Sequence, residues 1–161
     1  GEVAGALQQT VWLACALSVP GMLLLWFPDP ILALSTIEPA VEEKLRAYLR
    51  ILACGMPAAL LYRTFYSFCN ALRQPRPLMF VSLGNTLLHG GLAWTLVTGV
   101  VSEPLGAIGC GLSNMLVNWF GCGMAALWVA RSSGLARFRP FADWQAPRWT
   151  TMRELLRLGL P

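Results

Sequence analysis

Between Glu2 and Asp29 the chain carries no charged side chain, and the same holds between Arg76 and Glu103 and between Glu103 and Arg131. A further stretch, from Ile51 to Leu72, is broken only by Arg63. A helix rising about 1.5 Å per residue needs roughly 20 apolar residues to cross a hydrocarbon core of about 30 Å, and each stretch is long enough. Of the 161 residues 12% are charged and 56% hydrophobic, whereas a soluble domain carries about a quarter charged residues. There is too little charge to coat a globule. The expectation is an all-α polytopic membrane protein with four transmembrane helices, near residues 5–27, 45–72, 78–101 and 105–131.

The charges that remain orient these helices. LRQPRP, between the second and third, holds Arg73 and Arg76 without an acid, and the stretch after the fourth holds Arg131, Arg137 and Arg139. Cytoplasmic loops carry the excess of Lys and Arg, so both are expected inside. The segment 29–44, with Asp29, Glu38, Glu42 and Glu43, and the loop with Glu103 are then external, although Lys44, Arg46 and Arg50 lie close to the first of these. Trp26, Phe27 and Trp128 fall at helix ends, where aromatic rings anchor at the interface. The net charge of +4 comes from loop arginines and fits orientation better than nucleic-acid binding.

The first segment lacks the basic start of a signal peptide and is followed by three segments of its own length. The chain starts at Gly1 and stops at LGLP, which suggests a piece of a longer protein. Residues 1–134 hold the four helices; 135–161 read as a cytoplasmic linker whose Trp149, Met152, Leu155 and Leu156 line one face of an interfacial helix. Pro20 and Pro57 lie inside helices and are expected to kink them, since proline removes an N–H and crowds the preceding turn. Ala107 with Gly111, and Gly121 with Ala125, have the small-xxx-small spacing that lets helix backbones approach.

No hydrolase, zincin or phosphate-loop motif is present, and GAIGCG at 106–111 follows no strand. The membrane segments hold no carboxylate, which removes paired acid/base catalysis, so an enzyme is not expected. Cys15, Cys54, Cys69, Cys110 and Cys122 show no ligand spacing and read as small hydrophobes, with no metal site. What remains is a sparse set of polar groups at membrane depth: Arg63, Asn70, Asn85, His89, Asn114 and Asn118. Such groups are costly in lipid and turn toward a cavity or a partner helix. Asn85 and His89 are four apart, as are Asn114 and Asn118, so each pair shares a helix face. His89 has about eleven helical residues on either side, roughly 16 Å, which puts it near the midplane. It is either a neutral ring bonding across a helix interface or a proton or substrate site in a wet cavity. Arg63 is either paired with a carbonyl or carboxylate of another helix or part of such a site.

Two stretches, GMPAALLYRTFYSFCNALRQPRPLMF at 55–80 and PLGAIGCGLSNMLVNWF at 104–120, resemble the multidrug and toxic compound extrusion (MATE) transporters. The resemblance covers nearly the whole chain. WLACALSVPGMLLLW resembles the family's third helix, and the segments with Pro57, His89 and Gly111 its fourth to sixth. MRELLRLGLP resembles the cytoplasmic bridge to helix seven. Gly55, Pro57, Tyr62 and Pro77 fit the fourth helix and its turn; the family often has an arginine at Tyr66 and an acid at Asn70. Two family ligand positions in the fifth helix fall on His89 and Ala93, or on Asn85 and His89 if shifted by one turn, and a threonine of the sixth falls on Asn114.

The resemblance implies helices three to six in the N-terminal lobe of a twelve-helix inverted-V transporter. It would export cationic or amphipathic drugs in exchange for protons or sodium ions by alternating access. Its binding residues would be His89, Asn85, Asn114, Asn118 and Arg63, with Pro20 and Pro57 as structural kinks. No cofactor beyond the coupling ion, and no nucleic acid, is expected. The partners are small organic cations, the bilayer of the inner (plasma) membrane and the remaining helices. Sodium favours oxygen ligands, and a histidine at a ligand position tilts the expectation toward protons. The alternatives are a lipid-linked saccharide flippase of the same superfamily and a structural membrane subunit or remnant without transport activity.

Overall fold

The computed structural model describes residues 2–33, 38–99, 104–132, 146–147, 149–151 and 153. Among them every regular element is helical: α1 (Glu2–Trp26), a single turn α2 (Asp29–Leu32), α3 (Pro39–Ala71), α4 (Arg76–Thr98) and α5 (Ala107–Arg131). The four long helices match the four expected segments. By length and composition alone α1, over Ala4–Trp26, and α5 are able to cross a membrane. The other two fall short because they carry polar groups at mid-helix, Tyr62 and Arg63 in α3 and Asn85 and His89 in α4.

The largest departure from the expected boundaries is at α3, which begins at Pro39 rather than near 45. Charge ends a membrane span, but it does not end a helix. Proline is favoured in the first turn, where its missing N–H has no intrahelical partner to lose, and Glu42 pairs with Arg46 one turn on at 2.7 Å. The same guanidinium reaches Asp29 of α2 at 2.7 Å, so one of the three basic residues near this acidic end is bound to two of its acids. α3 closes in a Schellman turn, with Gln74 N–H donating to the Cys69 carbonyl and Arg73 N–H to that of Asn70. Arg73 takes the left-handed position at φ 56°. Gly99, also left-handed, follows α4 at φ 76°, so α4 ends at Thr98, three residues before the expected boundary.

α3 packs on both α1 and α5, and α5 also packs on α4, so the spatial order is α1, α3, α5, α4. The apolar core gathers Leu7 of α1, Phe65 and Cys69 of α3, Leu78 of α4 and Ala125 and Val129 of α5. These positions lie at the ends assigned to the cytoplasm. Higher up, α5 meets its neighbours through glycine. Gly109 lies against the Leu96 backbone of α4, Gly111 against the Tyr48 ring of α3, and Met115 packs on Gly55 of α3. Gly111, Gly121 and Ala125 are buried as expected, but Ala107 is exposed, so the first small-xxx-small pair is not a contact pair.

Both internal prolines sit within continuous helices. Pro57 offers no N–H to the turn before it, and in that turn the Cys54 carbonyl accepts the indole N–H of Trp119 from α5 at 3.1 Å. Trp26, Phe27 and Trp128 are exposed at helix ends, as interfacial anchors are expected to be. Glu103, Arg137, Arg139, Met152, Leu155 and Leu156 lie outside the described residues, and of the expected interfacial helix only 149–151 and 153 are described, as helical.

Candidate functional site

Four of the five expected site residues come together where α3, α4 and α5 meet. Asn85 and His89 from α4 and Asn114 and Asn118 from α5 line one cavity of about 240 Å³ with Tyr62 of α3. It runs into a second of about 470 Å³ that shares Tyr62, Ser82, Asn114 and Asn118 and adds Arg63 and Tyr66. The two form one polar groove. Arg63 is exposed on the ridge of α3 and also borders a groove against α1, with Thr10 and Thr64. The expected fifth residue is thus at the rim. Asn70 is exposed near the end of α3 and lines neither cavity.

The polar groups are held in three ways. His89 Nδ1 lies 3.0 Å from the hydroxyl of Ser113, a fully buried residue of α5. That hydroxyl also lies 3.0 Å from the Cys110 carbonyl. Asn118 donates through Nδ2 to Asn114 Oδ1 at 2.7 Å, as their i,i+4 spacing allows. The Asn85 side chain presses its amide on Gly121 of α5, where a Cβ would collide with it. Two atoms of the wall, the Tyr62 hydroxyl and Asn85 Oδ1, are buried without a hydrogen-bond partner of good geometry. Buried polar atoms in that condition cost about 1–3 kcal/mol each, so they mark where a polar guest or water is favoured. Positions that Cβ atoms of Gly90 and Gly91 would take are open, leaving room beside His89.

Several polar residues escaped the sequence reading. Gln8 and Gln9 of α1 are almost fully buried, and Gln9 donates to the Ala146 carbonyl at 3.0 Å, tying the start of α1 to the segment after α5. Their adjacency in an uncharged stretch was a readable signal. Ser113 was not distinguishable from the many hydroxyls that bond back to their own helix, as Thr64 and Thr86 do. Among the described residues no carboxylate lines either cavity.

The MatE family model matches residues 2–95, which is more than half the chain and includes Tyr62, Arg63, Asn85 and His89. The chain belongs to the MatE family. This is the multidrug efflux transporter family whose fourth to sixth helices its motifs resemble, so the helices are those of a membrane protein. The MatE chain is 48% identical over 157 residues to the probable multidrug resistance protein NorM of Aromatoleum aromaticum, which covers 97% of this chain and 34% of the relative. Multidrug resistance protein NorM of Aliivibrio fischeri is 32% identical over 156 residues, 96% of this chain and 34% of its own. Multidrug resistance protein PmpM of Pseudomonas aeruginosa is likewise 32% identical over 156 residues, 96% of this chain and 33% of its own. The MatE chain therefore spans about a third of the length of the curated relatives it matches.

Proposed function

We propose that this segment forms part of a multidrug efflux antiporter of the inner membrane, exporting cationic or amphipathic compounds in exchange for an ion. The supporting observation is the groove. It is polar at membrane depth, open, and built from three helices in a chain whose family is a transporter family. In the whole protein four helices cross the membrane here, and the groove forms one wall of a central cavity whose access alternates as two bundles rock. His89, Asn85, Asn114 and Asn118 contact substrate or ion, and Arg63 lies at the edge of that wall.

Protons fit this wall better than sodium as the coupling ion. Sodium favours several convergent oxygens; here Asn85 Oδ1 and the Tyr62 hydroxyl are unpartnered, but Asn114 Oδ1 is engaged by Asn118 and His89 offers nitrogen. A histidine imidazole can take up and release a proton, which an amide cannot. The deciding experiment uses the full-length transporter in proteoliposomes, with ethidium as the probe and imposed gradients of protons or sodium. Ethidium transport driven by the proton gradient alone is expected. Transport driven only by sodium overturns the coupling ion, and no transport under either gradient overturns antiport.

A further inference from the structure

The Ser113 hydroxyl lies 3.0 Å from two partners, the Cys110 carbonyl and His89 Nδ1. A hydroxyl has one hydrogen to give and two lone pairs to receive with, whereas a carbonyl only accepts. Toward Cys110, Ser113 must therefore donate. Its hydrogen being spent there, it accepts from His89, and the nitrogen facing it carries the hydrogen. We infer that Ser113 is a positioning residue that holds His89 as the Nδ1–H tautomer, leaving Nε2 as the nitrogen that takes up and returns the coupling proton. The inference rests on the reading of His89 as the titrating group and names the residue that makes it effective.

The chain of donors runs His89 Nδ1–H to Ser113 Oγ, then Ser113 O–H to the Cys110 carbonyl. When a proton from the groove binds the Nε2 lone pair, the imidazolium keeps this chain and its first bond becomes charge-assisted, about twice as strong as a neutral one. When the proton leaves Nε2, the same chain remains with a neutral donor. No group rotates in either direction. Ser113 is fully buried, so water does not compete for its oxygen. Among the described residues, the titratable groups near His89 are Tyr62 of α3, which lines the same cavity, and Cys110 of α5, whose carbonyl meets Ser113; Arg63 and Tyr66 of α3 line the adjoining cavity, and the other charged residue of α4, Arg76, lies at its far end.

The test uses the full-length transporter with 15N-labelled histidine, the His89 signal being the one lost in His89→Gln. At alkaline pH the wild-type spectrum is expected to show hydrogen on Nδ1 and none on Nε2, and Ser113→Ala to shift hydrogen to Nε2. The midpoint of the efflux pH profile is expected to move toward acid by about half to one unit in Ser113→Ala, the difference between a charge-assisted and a neutral hydrogen bond. Ser113→Thr restores the hydroxyl and is expected to restore the midpoint. Hydrogen on Nε2 in the wild type overturns the inference. So does an unmoved midpoint in Ser113→Ala when His89→Gln flattens the profile. If His89→Gln leaves the profile intact, the coupling role of His89 falls, and the nitrogen spectrum still decides the tautomer.

Discussion

The side-chain amide of Asn85 in α4 rests on the bare Cα of Gly121 in α5, so that any side chain at 121 would occupy the volume of the amide. This contact brings α4 close enough to α5 for His89 to reach Ser113 and holds Asn85 Oδ1 in the wall of the groove. Gly121→Ala is expected to destabilise the full-length protein by about 1–3 kcal/mol, the range for overpacking a fitted site. Asn85→Ala added to it should recover a large part of that loss, since the two residues share one space. Thermal unfolding in detergent for the two single variants and the double variant measures the coupling. Equal losses that simply add would show that the contact is not tight.

His89→Gln keeps a hydrogen-bonding group and removes titration, whereas His89→Leu removes both. The glutamine variant is expected to flatten the pH dependence of drug efflux. The leucine variant is expected to lose efflux or change its selectivity while still inserting. Efflux by His89→Leu at the wild-type rate and pH profile would reduce the ring to packing and move the site to Asn114 and Asn118.

Arg63 faces a groove in which the described residues place no carboxylate. A unit cation about 8 Å from it meets roughly 2 kcal/mol of repulsion at an effective dielectric of about 20. Arg63→Gln is therefore expected to lower the half-saturating concentration of a cationic dye by up to about thirtyfold and to raise that of a carboxylate-bearing compound. Transport kinetics with one probe of each charge checks this, and equal changes for both would assign Arg63 a role outside the groove.

Arg73 occupies the left-handed position of a Schellman turn, where a side chain crowds the following carbonyl and glycine is preferred. Arg73→Gly is expected to raise stability by about 0.5–1 kcal/mol, the balance of relieved backbone crowding against added freedom of the unfolded chain. Denaturation of the purified protein reads the change, and a loss of stability would show that the guanidinium makes a contribution larger than the backbone's.

The same turn should be cytoplasmic. A cysteine at position 73 is expected to resist a membrane-impermeant thiol reagent added to intact cells and to react after permeabilisation. External labelling would reverse the orientation of every helix.

The helices were legible because charge is excluded from hydrocarbon, and a charge-free stretch of sufficient length has few other uses in a chain this apolar. Their ends were less so: Glu42 and Glu43 read as loop but belong to α3, since the helical turn tolerates charge wherever water is near. Pairing at i,i+4 spacing placed Asn85 with His89 and Asn114 with Asn118 on common faces, and the groove collects both pairs. Ser113 and Gly121 were not legible as partners of His89 and Asn85, because a contact between helices depends on their rotation and depth, which no spacing within one helix encodes. Ala107 shows the same limit from the other side, having the right spacing but an exposed position.

The indole of Trp119 on the Cys54 carbonyl has a mechanical meaning. Proline leaves its helix a joint where the backbone ladder lacks a rung, and a joint without a stop bends anywhere. Here a side chain from the neighbouring helix engages the turn at the joint, so an angle of α3 is keyed to the position of α5. The bond ties α3 to α5 at the one turn of α3 that its proline weakens. Bending α3 away from α5 at Pro57 would cost that hydrogen bond.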